Sequence, residues 1–216
     1  MEIKQVTVEV LETPVDLGYV AAGHSVQSNW HVLSRVNTAD GMQGIGFAVA
    51  TRAPLVRALA QTAEELGQAL VGMPVTEIEA ARAKMEGLGG WTGPGGMLSM
   101  AMATLDIAMW DALGKALGQP LYRLLGGHRD RVRAYASDAL WYSLPLDVLT
   151  NAAQYHVSQG YRRIKLRLGN EAKPEGEVAR VRAVQEVVGP DVEVMVDATE
   201  SWNQGQAVAT GRALQD

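Results

Sequence analysis

Cysteine is absent from the 216 residues, which excludes disulfides and thiolate-bound metal and fits a reducing compartment. A basic excess is absent too: the net charge of −5 offers no electrostatic ground for binding nucleic acid. No long apolar run is free of charge. The most apolar stretch, 97–117, carries Asp106, Asp111 and Lys115 and reads as a buried helix rather than a membrane span. The N-terminus lacks the basic-then-apolar order of a signal peptide; Val6, Val8 and Val10 alternate there with Thr7 and Glu9 as in a strand. With 47% hydrophobic and 20% charged residues, an ordinary globular balance, these absences predict a soluble, cytoplasmic protein that binds neither nucleic acid nor membrane.

Two kinds of organisation follow one another. Residues 1–127 predict an α+β domain. Strands are expected near 2–11, 30–38 and 43–50, with turn chemistry at Ala39-Asp40-Gly41. A polar loop with Pro14, Gly18 and Gly23 is expected between the first two. Helices are then predicted from Pro54 to about Val71, from a Thr76/Glu79 capping box to about Leu88, and over Met97–Leu117. Glycines around 89–96 interrupt the last two, and Gly118 and Pro120 stop the long helix. Residues 128–216 predict β/α repeats, with strands near 131–137, 161–168 and 192–197, each followed by a helix. That spacing favours parallel strands with right-handed crossovers.

The second of these strands, Arg163 to Leu168, alternates Ile164, Leu166 and Leu168 with Lys165 and Arg167. Strands of an open doubly wound sheet are covered on both faces and read as apolar throughout. Two cations on one face therefore call for either a solvated edge face or a polar interior such as a barrel mouth. The third strand ends in Asp197 after alternating Val192, Val194 and Val196. Barrel enzymes place their functional groups at that C-terminal end, although an aspartate there is also a common helix cap.

The helix Ala103-Thr104-Leu105-Asp106-Ile107-Ala108-Met109-Trp110-Asp111 is followed by Gly114-Lys115 and by Pro120 to Gly127. Further on come Ile164-Lys165-Leu166-Arg167-Leu168-Gly169 and Val196-Asp197-Ala198, and upstream lies Gly44-Ile45-Gly46-Phe47. In combination these motifs resemble the enolase superfamily, in its mandelate racemase and muconate lactonizing branch, across essentially the whole chain. The resemblance implies a capping domain followed by the first β/α units of a (β/α) TIM-type barrel. It implies abstraction of the proton α to a carboxylate, with Mg2+ stabilising the enediolate, and a homo-oligomer when full length. Asp197 matches the first of three acidic metal ligands. Lys165 and Arg167 match a Lys-x-Lys pair in which the first lysine stands by the substrate carboxylate and the second is the base.

Arg167 departs from that pattern. A guanidinium stays protonated, so it suits a fixed donor to an enediolate better than a base. Either Lys165, with a cation beside it, takes the proton, or a residue from a later strand does. One base suits dehydration of an acid sugar or α-hydroxy acid; a racemase or epimerase needs bases on both faces, and a cycloisomerase is a further alternative. Thr199, Ser137, His24 and Tyr19 are candidate substrate contacts, with Asn29 and Tyr135 as weaker ones, Tyr135 reading mainly as packing. Trp110 and the methionines of the long helix read as core, and Asp106 as a structural residue bonded to backbone or arginine. Three strands cannot close an eight-stranded barrel. As a free chain the 216 residues are therefore expected to show weak or no turnover, and a non-catalytic remnant or oligomerisation module is the reading of a different class.

Overall fold

A computed structural model describes residues 1–21, 24–50, 53–93 and 95–215, with the side chains of 16–24 and 53 outside that description. The chain divides into two compact units, Met1–Val15 with Ser28–Asp130, and Asp16–Gln27 with Arg131–Asp216.

β1 (Ile3–Ala21), β2 (His24–Thr38) and β3 (Gln43–Ala50) form a sheet in that order, which belongs to the first unit except for residues 16–27. β2 and β3 are antiparallel, with Leu33 opposite Phe47 and Arg35 opposite Ile45. The expected loop over 14–29 is largely strand: β1 continues through Pro14 and Gly18, and β2 begins at His24. β1 is an edge of the sheet, where a proline is tolerated, and its pairing with β2 outweighs the local turn signals. α1 (Ala53–Leu70) and α2 (Ile78–Gly89) follow. The Thr76/Glu79 capping box does not form. A turn closed by Glu77 N–H on Pro74 O carries the chain past Thr76, and Glu77 is the N-cap, without a side-chain bond.

α3 (Gly96–Leu117) is the centre of this unit. Its small face, Ala101, Thr104, Ala108 and Ala112, is fully buried. β3 lies directly on that face because of its alternating glycines. A Cβ on Gly44 would strike the Ala108 carbonyl oxygen, and one on Gly46 that of Thr104. Asp111 Oδ2 accepts the Ile45 N–H at 2.8 Å and the Lys115 ammonium at 2.7 Å, while Lys115 also donates to Gln43 O at 2.9 Å. The i,i+4 pair expected on the helix surface thus also ties down a strand. Burial of α3 is one-sided within the unit: Met109 is core, Trp110 packs at its margin, and Met100 and Ile107 are exposed. Gly118, at φ +61°, caps the helix in the left-handed region, and a short turn, α4 (Leu121–Leu124), follows.

The second unit runs α5 (Leu146–Ser158), β4 (Arg163–Arg167), α6 (Pro174–Val188), β5 (Glu193–Asp197) and α7 (Gln204–Ala213). β4 and β5 are parallel. The strand expected over 131–137 is reduced to one parallel bridge, Ala136 to Ile164. Three backbone bonds still lay this segment along β4: Ala136 N–H to Arg163 O, Lys165 N–H to Ala136 O and Arg167 N–H to Leu140 O. Between the last two the segment departs from the ladder, with Ala139 at φ +53°. Ile164, Leu166, Leu168, Leu140, Leu149 and Val184 form the core. α7 opens with a capping box, Asn203 with Gln206. Among the described residues no helix is long and apolar enough to cross a membrane.

Candidate active site

The alternation of β4 sends Ile164, Leu166 and Leu168 wholly into the core and leaves Lys165 and Arg167 on the opposite face. Register then sets Arg167 opposite Asp197. Lys165 Nζ donates to Asp197 Oδ2 at 3.0 Å. Arg167 Nε stands 3.9 Å from the same oxygen, an ion pair too long for a hydrogen bond. That Nε is buried without a hydrogen-bond partner among the described residues. The guanidinium lies instead over Trp141, with Cζ 3.9 Å from the ring centroid, where the π face attracts it. The Lys165 ammonium is 5.5 Å from the Tyr135 ring centroid.

The second oxygen of Asp197 faces its own turn. Oδ1 accepts the Thr199 N–H at 2.8 Å and lies 3.4 Å from the Thr199 hydroxyl. The Thr199 N–H bond, aided by Lys165 and Arg167, holds the Asp197 carboxyl below the ordinary range despite partial burial. Thr199 and Glu200 adopt φ of +44° and +62°, a left-handed conformation that is costly for a β-branched residue. The turn therefore aims the carboxylate at the expense of backbone strain.

Of the residues named from the sequence, Lys165, Arg167, Asp197 and Thr199 converge. The Ser137 hydroxyl donates to the Lys165 carbonyl at 3.2 Å, so it steadies the strand backbone. Tyr135 is 48% exposed and faces Lys165, which corrects the expectation of packing. Tyr19 and His24 lie in strands, and their side chains are outside the described residues. Asn29 is half-buried in β2. Asp106 makes no hydrogen bond to backbone or arginine among the described residues; it is half-buried, with burial and Glu79 raising its pKa and Arg82 opposing them. Trp141, Glu177 and Arg180 were not singled out by sequence reasoning. The strand-end rule that marked Asp197 could have marked Trp141, whereas glutamate and arginine in an early helical turn read as solvated surface.

Asp197 is a hard oxygen donor of the kind Mg2+ takes, and one or two such carboxylates completed by water and substrate oxygens suffice to bind it. Asp197 therefore fits as one ligand; among the described residues no cluster of three or more acidic, histidine or cysteine side chains converges.

An α+β domain followed by parallel β/α units, with ionisable groups gathered at the strands' C-terminal ends, is the pattern with which (β/α)-barrel proteins place their functional groups. Residues 3–126 match the family "mandelate racemase / muconate lactonizing enzyme, N-terminal domain", and residues 147–216 match "enolase C-terminal domain-like". The chain belongs to this branch of the enolase superfamily. It is 31% identical over 184 residues to the L-talarate/galactarate dehydratase of Salmonella typhimurium, covering 85% of this chain and 46% of that protein. It is 32% identical over 187 residues to the arabinonate dehydratase of Saccharolobus solfataricus, covering 85% and 49%. The Salmonella typhimurium LT2 dehydratase liganded with Mg and L-lyxarohydroxamate superposes with a TM-score of 0.92 at 27% identity, covering 99% of this chain and 56% of that one. Other relatives are epimerases and cycloisomerases. The chain spans about half the length of the curated relatives it matches.

Proposed function

We propose that these residues belong to a magnesium-dependent lyase site that removes the proton α to a carboxylate and dehydrates an acid sugar or α-hydroxy acid. The observation that carries this reading is the convergence of Lys165 and Arg167 on Asp197 at adjacent strand ends. The likeness to two acid-sugar dehydratases supports it.

Asp197 would hold the metal, whose charge holds the substrate carboxylate and acidifies its α proton when bound. Arg167 is permanently charged, and Trp141 keeps its guanidinium plane in place. It serves as a fixed donor to the oxyanion that develops as the α C–H bond breaks. Lys165, which stands beside Asp197 on the same face, would take the α proton. The β-hydroxyl then leaves as water, taking the proton that Lys165 has gained from the α carbon. Tyr135 and Ser137 shape the floor beside Lys165, and the Tyr19 and His24 side chains remain candidate substrate contacts.

The test is a titration of the isotopically labelled protein with Mg2+ and then with a hexarate diacid. Mg2+ is expected to shift the Asp197 and Thr199 amides, and the diacid to shift the Arg167 Nε–H. Asp197→Asn should abolish the first response and Arg167→Met the second. Amides that stay in place at millimolar ligand would sink the reading. In deuterated water, exchange of the α proton with loss of water identifies a dehydratase; exchange without it identifies an epimerase.

A further inference from the structure

One ionic side chain on α6 is buried and a second is largely so, and the proton-abstraction chemistry uses neither. Glu177 is 1% exposed. Its Oε1 accepts the N–H groups of Gly169 at 2.7 Å and Glu171 at 3.0 Å. Burying a carboxylate is costly, and these two donors, together with the positive end of the helix, offset that cost. Three residues on, the Arg180 side chain is 12% exposed. It donates to Leu144 O at 2.8 Å, approaches Trp141 O at 3.5 Å, and lies 3.7 Å from Glu171 Oε1.

These contacts reach two segments that lie on either side of Arg167. One is the turn 169–171 leaving β4. The other is 141–144, which presents the ring on which the guanidinium rests. Gly169, at φ +116°, also approaches the β5 turn so closely that a Cβ there would strike the Ser201 side chain. The turn held by Glu177 is thus packed against the turn that aims Asp197. An apolar pair at 177 and 180 would leave both segments without these hydrogen bonds.

We propose that Glu177 and Arg180 are positioning residues that together fix the Arg167 guanidinium, Glu177 by holding the turn after β4 and Arg180 by holding the Trp141 segment. The positioning follows from geometry alone; what Arg167 then does for a substrate rests on the function proposed above.

Nuclear magnetic resonance of the 216-residue chain reads this without any assay of activity. In the native protein the Arg167 side-chain protons should be displaced upfield by the Trp141 ring. Glu177→Met should speed amide exchange at Gly169 and Glu171 about tenfold or more, the worth of a charge-assisted hydrogen bond, and should move the Arg167 signals toward unstacked values. Glu177→Gln keeps an acceptor at Oε1 and should restore both. Arg180→Met should move the Arg167 signals while Gly169 keeps its protection. Native Arg167 signals in folded Glu177→Met and Arg180→Met proteins overturn the proposal; should Glu177→Met not fold, native signals in Arg180→Met alone overturn it. Displaced Arg167 signals with unchanged diacid binding support the positioning and count against the functional reading instead.

Discussion

Lys165 Nζ and Asp197 Oδ2 are 3.0 Å apart across two adjacent parallel strands, so the amine proposed as base is bound to the carboxylate proposed as metal ligand. The side chains are 19% and 35% exposed, which leaves the pair open to solvent screening. A double-mutant cycle with Lys165→Met and Asp197→Asn, read by urea unfolding, should give a coupling of about 0.5–1 kcal/mol. A coupling of zero would mean that the contact has no part in stability.

Asp197 also sets a pH dependence. Its carboxyl is held below the ordinary value, chiefly by the Thr199 N–H and then by Lys165 and Arg167. Where the folded state holds an acid's pKa down, the unfolded state binds more protons as pH falls. The stabilisation is therefore full above the ordinary carboxylate pKa and is lost as pH drops through the lower, folded-state value. Asp197→Asn should flatten this acid limb of the unfolding curve, measured by denaturant titration from neutral to strongly acidic pH.

Asp106 shows the opposite sign. Burial, then Glu79, raises its pKa, so the folded state keeps the proton longer than the unfolded chain. Stability should fall as pH rises from the ordinary carboxylate value through the raised one. Asp106→Asn is expected to remove that decline and to raise the melting temperature at neutral pH. An unchanged or lower melting temperature would show that the ionised form is well accommodated.

Thr199 holds a left-handed backbone at φ +44°. Asparagine visits that region more readily than a β-branched residue. Thr199→Asn should stabilise the protein by about 1 kcal/mol, provided the N–H bond to Asp197 survives, which the amide shift of residue 199 would report.

Glycines separate by environment. Gly46→Ala would drive a methyl group into the Thr104 carbonyl of α3 and should cost about 2 kcal/mol or more. Gly87→Ala in α2 meets open space and should stabilise by about 0.5–1 kcal/mol. Thermal unfolding of the two variants side by side tests the close approach of β3 to α3.

Legibility in the sequence followed the range of the interaction. The alternation of Ile164, Lys165, Leu166 and Arg167 is a local property with period two, and it alone places both cations on one face of a strand. The β1–β2 hairpin was not legible. Pro14, Gly18 and Gly23 are local loop signals, and the cross-strand pairing that extends β1 to Ala21 is not written in them. Nor was the fate of 131–137, where strand-forming residues keep only the Ala136–Ile164 bridge.

By itself the sequence determined the family, the long helix over Met97–Leu117, and the placing of Lys165 and Arg167 on one face of a strand with Asp197 at the end of the next. Periodicity, stop signals and motif spacing all act within one element or between consecutive ones. Tertiary structure alone decided that Lys165 and Arg167 share one Asp197 oxygen, that Trp141 lies beneath Arg167, and that Glu177 and Arg180 turn inward. Those relationships depend on strand register and on burial, and register is set only when separate segments meet.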